Sequence, residues 1–93
     1  MPKSTPVNGE NIQAFRRARA LCVELERVTG GRPVQYRMVA PIAQSIGFDT
    51  AAAEAAVALA MEQRWLIGTG EPPHSVCLTD EGRNLAIING YRG

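Results

Sequence analysis

The chain has 93 residues, a formal net charge of +1 and an apolar fraction of 45%. That is enough for one domain with its own core but not for two. No apolar run is long enough to span a membrane, and the near-balanced charge gives no general electrostatic footprint for a polyanion.

The N-terminal segment MPKSTPVNGEN lacks the apolar stretch of a secretory signal, which argues for a cytoplasmic protein. Residues 1–9 read as a flexible tail before a single domain over residues 10–93. A first helix is predicted over Glu10–Val28, because Ile12, Phe15, Ala18, Cys22, Leu25 and Val28 recur every three or four positions and share a face. Arg16, Glu24 and Arg27 fall largely off that face, and Gly30 and Gly31 supply a helix stop. Arg16, Arg17 and Arg19 form a basic cluster that reads as a solvated helix surface. Cys22 lies on the apolar side, so a buried reduced thiol is expected. A disulfide to Cys77 is not expected in a cytoplasmic chain.

The segment RPVQYR is expected to be extended, with Val34 and Tyr36 on one side. A second helix is predicted over Met38–Ile46, burying Val39, Ile42, Ala43 and Ile46. Pro41 fits its first turn, where an amide lacks an intrahelical partner anyway. Gly47, Phe48 and Asp49 form a three-residue turn in which Phe48 plugs the gap between helices and Asp49 caps the next one. The third helix runs over Thr50–Arg64. Ala53, Val57 and Met61 form its core stripe, and Ala56 and Ala60 permit close helix approach. Trp65, Leu66 and Ile67 open a strand, GTGEPPH turns the chain, and Ser75–Leu78 return with Val76 and Leu78 inward. Thr79 caps a last helix, with Asp80 and Glu81 in its first turn, Leu85 and Ile88 as anchors and Gly90 as its end.

The expected class is therefore mainly α with a small β-hairpin. Ile42-Ala43, the turn Gly47-Phe48-Asp49, the strand opening Trp65-Leu66-Ile67 and the exit Leu78-Thr79-Asp80-Glu81-Gly82-Arg83 resemble the winged-helix family of helix-turn-helix proteins, in the form common among small bacterial transcription regulators. The resemblance spans residues 12–88. It implies a three-helix core, an antiparallel wing and a short C-terminal helix, with double-stranded DNA as partner: the third helix enters the major groove and the hairpin touches the backbone. Carried onto this chain, the base-facing positions are Thr50, Ala51, Ala52, Glu54, Ala55 and Leu59, and the phosphate contacts are Arg37, Gln44, Ser45, Thr50, His74 and Arg32.

Here the chain departs from the family. Alanine can only touch a thymine methyl, Glu54 can only accept from cytosine, and Glu71 on the wing would face a polyanion. The alternative is a winged helix serving as a protein-interaction or homodimerisation module. Leu59, Leu85 and Ile88 are its candidate interface residues, although alanine also fills helix positions where nothing is required. Trp65 reads as a core-closing ring and His74 as a solvated loop histidine. Nothing assembles a nucleophile, a base and oxyanion donors, and no Cys or His sits at metal-ligand spacing. No catalytic, cofactor or metal residue is assigned and no enzyme activity is expected.

Overall fold

The computed structural model describes residues 9–30 and 35–92, with side-chain surroundings for residues 12–30 and 35–88. The expected flexible tail at residues 1–8, the stop at Gly31 and the extended Pro33 and Val34 lie outside the described residues. The elements in chain order are α1 (Gly9–Thr29), β1 (Arg37–Met38), α2 (Val39–Ser45), α3 (Thr50–Glu62), β2 (Leu66–Thr69), β3 (Ser75–Leu78) and α4 (Asp80–Arg92). The protein is mainly helical with a small three-stranded antiparallel sheet in the order β1-β3-β2.

Helix α1 is the hub, packing against α2, α3, α4 and β3. Its buried arc is therefore wider than one periodic stripe. Ala18, Cys22 and Leu25 are buried as expected, and Leu21 joins them with no exposure at all. Ile12, expected on the core face, is instead 46% exposed. Glu24, expected on the outer side, is buried where α2 crosses α1. Its carboxylate accepts from Arg27 Nε at 3.0 Å and from Arg27 Nη2. The Ser45 hydroxyl lies 3.0 Å from Glu24 Oε2 and 2.8 Å from the Ile42 carbonyl, two acceptors for its one proton.

The stops of α2 and α3, at Gly47 and Arg64, follow backbone chemistry. Gly47 takes φ +82, and the Phe48 amide reaches back to the Ala43 carbonyl at 2.9 Å, closing the end of α2. Asp49 Oδ1 accepts from the Ala52 amide at 2.7 Å, the N-cap expected from its side chain. The third helix ends earlier than its composition suggests. Arg64 adopts φ 66, so the Trp65 amide bonds to the Ala60 carbonyl at 2.8 Å. This is a left-handed C-terminal motif occupied by arginine rather than glycine.

On α3, Ala53, Ala56, Val57 and Ala60 are buried, and their small side chains let α1 approach closely. Trp65 is half-buried against the core and makes an edge-on contact with Phe15, ring centroids 6.3 Å apart. Thr79 locks α4 to the end of α3. Its hydroxyl donates to the Arg64 carbonyl at 2.6 Å and accepts from the Gly82 amide at 3.0 Å. Helix α4 continues through Gly90 to Arg92, beyond the expected stop.

The expected hairpin is in fact part of a three-stranded sheet. Strand β3 pairs with β2 from Leu66↔Leu78 to Thr69↔Ser75, and with β1 at Arg37↔Val76 and Met38↔Ser75. Met38, expected in the second helix, therefore belongs to a strand. Alternation puts Leu66, Val76 and Leu78 inward, while Tyr36, Met38 and Ile67 stay exposed on the outer face around a buried Cys77.

Candidate nucleic-acid interface

The geometry around α3 follows from one clasp. The His74 amide donates to the Thr69 carbonyl at 2.9 Å, and the His74 carbonyl accepts from the Val39 amide at 2.8 Å. The second bond satisfies the first backbone donor of α2, which has no side-chain cap. Gly70, at φ +99, makes room for the histidine: a Cβ there would sit 2.1 Å from His74 Nδ1. Pro73 and the Met61 sulfur close over Gly68 in the same way, fixing the β2–β3 loop beside α3.

The result is a cleft of about 410 Å³ between α2, the start of α3 and the β2–β3 loop. Val39, Ala43, Phe48 and Ala53 give it an apolar floor, and Pro72 and Pro73 a wall. Gln44, Asp49, Thr50, Glu54 and His74 supply its polar groups. Among the described residues, no lysine or arginine lines it. Glu71 is exposed on the adjoining loop, and among the described residues the only ion pairs are Glu24–Arg27 and Glu26–Arg83, so neither Asp49 nor Glu54 is neutralised by a described cation.

The expected contact residues divide between two places. Gln44, Thr50 and His74 converge on this cleft, with Ala51 and Ala55 exposed on the adjoining face of α3. Ala52 is half-buried. Arg37 and Ser45 line a second cleft of about 420 Å³ on the other side of α2, with Glu24, Arg27, Tyr36 and Met38. There Arg37 Nη2 donates to the Val28 carbonyl at 3.2 Å and to Gln35 Oε1 at 3.3 Å, which ties it to the end of α1. Ser45 is committed to Glu24 and Ile42. Arg37 and Ser45 therefore lie apart from the cleft that Gln44, Thr50 and His74 share. Arg32 lies outside the described residues.

The candidate interface residues also separate. Leu59, expected as an exposed anchor, is half-buried and packs against the core, because α3 meets both α1 and β2. Leu85 is likewise half-buried against the core. Ile88 is 62% exposed on α4. The basic cluster on α1 is partly drawn in: Arg16 is exposed, while Arg17 and Arg19 are half-buried.

That Ala40, Pro72 and Pro73 line this cleft is not legible in the sequence. The available signal was the run Glu71-Pro72-Pro73-His74. Its meaning depends on β1 pairing with β3, which no local pattern announces. Among the described residues, no helix is long and apolar enough to cross a membrane. Comparison with protein-family models, curated proteins and solved structures yields no match to this chain.

Proposed function

We propose that this chain is a winged-helix module whose α3 face and adjoining cleft bind another protein rather than read DNA. The fold assignment rests on the element order and the β1-β3-β2 sheet, in which β2 and β3 form the wing. The observation that carries the functional reading is the chemistry of the α3 face. Its outward residues are Thr50, Ala51, Glu54, Ala55, Ala58 and Glu62, and the cleft beside it holds Asp49 and Glu54 with no lysine or arginine among the described residues. Base edges are read by Arg, Asn, Gln or similar groups, and phosphates are neutralised by cations. This face offers carboxylates instead, and its alanines suit close approach by a partner backbone.

DNA binding is the second reading, favoured by the convergence of Gln44, Thr50 and His74 on one cleft. Fluorescence anisotropy with a mixed-sequence duplex, titrated from about 50 to 200 mM salt, separates the two. The protein-interface reading expects no saturable binding at the lowest salt. Binding that weakens steeply with salt, and further in Gln44→Ala or Thr50→Ala, would establish the DNA reading in its place.

A further inference from the structure

Resting on the protein-interface reading above, we infer that the cleft receives a cationic side chain flanked by apolar ones, an arginine or lysine in an extended segment of a partner protein. The floor of Val39, Ala43, Phe48 and Ala53 and the wall of Pro72 and Pro73 offer apolar surface for the flanking residues and for the aliphatic stem of the cation. The polar groups at the mouth select its charge. No described residue donates a hydrogen bond to Glu54 or forms an ion pair with it, whereas Asp49 uses only Oδ1, in capping α3. Gln44 adds a side-chain amide that can turn its oxygen to a cation, and Glu71 places a further exposed carboxylate on the loop.

A partner carboxylate or phosphate in this cleft would meet Asp49 and Glu54 with no described cation to compensate. A wholly apolar partner would strip water from the same carboxylates without replacing its hydrogen bonds. A guanidinium or ammonium satisfies both requirements. The partial positive charge at the N-terminus of α3 opposes a cation, but Asp49 sits at that terminus and offsets it.

The test uses three capped tripeptides differing only in central charge: acetyl-Leu-Arg-Leu-amide, its glutamine analogue and its glutamate analogue. Each is titrated into the ¹⁵N-labelled full chain. The arginine peptide is expected to shift the amides of Gln44, Ala53, Glu54 and His74 saturably, with at least about tenfold weaker binding of the glutamate peptide. Glu54→Arg, at an exposed position, should reverse that order with an unchanged circular dichroism spectrum. No saturable shift from the arginine peptide, equal response to all three, or an order unaffected by Glu54→Arg overturns the inference. If the tripeptides and duplex DNA are both silent, only this inference falls. If DNA binds with a steep salt dependence, the reading beneath it falls as well. Concentration-dependent dimerisation in light scattering, abolished by Glu54→Arg, would make the occupant a second copy and overturn the assignment to a different protein.

Discussion

A methyl group added to Gly82 would lie 2.1 Å from the Trp65 carbonyl oxygen and 2.9 Å from Leu78 Cδ2. The first is a backbone atom that cannot swing aside. It already accepts from the Thr79 amide, so α4 must enter within a hydrogen bond's reach of the start of β2. Alanine is the better helix former by about 1 kcal/mol, but forced displacement in a packed site costs typically 1–3 kcal/mol or more. The clash wins. Gly82→Ala should destabilise the protein by roughly 2 kcal/mol, lowering its melting temperature by on the order of 10 °C; a thermal scan that shows no loss would contradict this packing. The string LTDEGR draws attention in the sequence, yet its glycine reads there as one more residue of a helix first turn. The need for glycine appears only when Trp65 is brought beside it. Arg64 is a related case, since a left-handed residue after a helix is ordinarily glycine and nothing in arginine forecasts φ 66.

At the scale of elements, the joint between α1 and α2 depends on a buried carboxylate. Hydrogen bonding from Arg27 holds the Glu24 carboxyl below its ordinary value of 4.5, burial pushes the other way, and the Ser45 hydroxyl again lowers it. A depressed folded-state pKa contributes stability that is fully present above the unfolded value. That stability is lost as pH falls from about 4.5 through the lower folded-state value. Chemical denaturation across this acid range should show a falling limb that Glu24→Gln flattens, because the amide cannot titrate. An unchanged limb in that variant would assign the acid sensitivity to other groups. Caps and stops at this scale were largely legible: Asp49, Thr79 and Gly47 carry their own backbone chemistry with them. The placement of Glu24 was not, because a helix wheel drawn on one packing partner undercounts a helix that has several.

Across the whole molecule, α1 runs through the centre and holds Cys22 where solvent does not reach, and burial pushes that thiol up to about 12. Cys77 is also buried, on the outer face of the sheet with Ile67 opposite it in register and Tyr36 lining the same hollow, and both cysteines are free. Iodoacetamide at neutral pH should therefore leave the native protein unmodified and add two carbamidomethyl groups in denaturant, as read by intact mass. Rapid native labelling of Cys22 would mean that α1 opens far more readily than its packing allows. Charge is likewise a property of the assembled surface. A net charge near zero conceals a region at α3 and its loop carrying Asp49, Glu54, Glu62 and Glu71, and a separate cluster of arginines on α1.

The amino-acid sequence by itself determined the four helices, the caps at Asp49 and Thr79, the stop at Gly47 and the alanine face of α3. Each of these follows from periodicity or from local backbone chemistry, which are interactions between residues close along the chain. Only the tertiary structure decided that β1 joins β3, that Arg37 and Ser45 lie on the other side of α2 from the α3 cleft, and that Leu59 packs inward. It also brought Gln44, Glu54, Pro72 and His74 around one cleft. Those outcomes depend on contacts between residues far apart in sequence. The clasp from Val39 to His74 spans 35 positions, and neither end carries a local sign of the other.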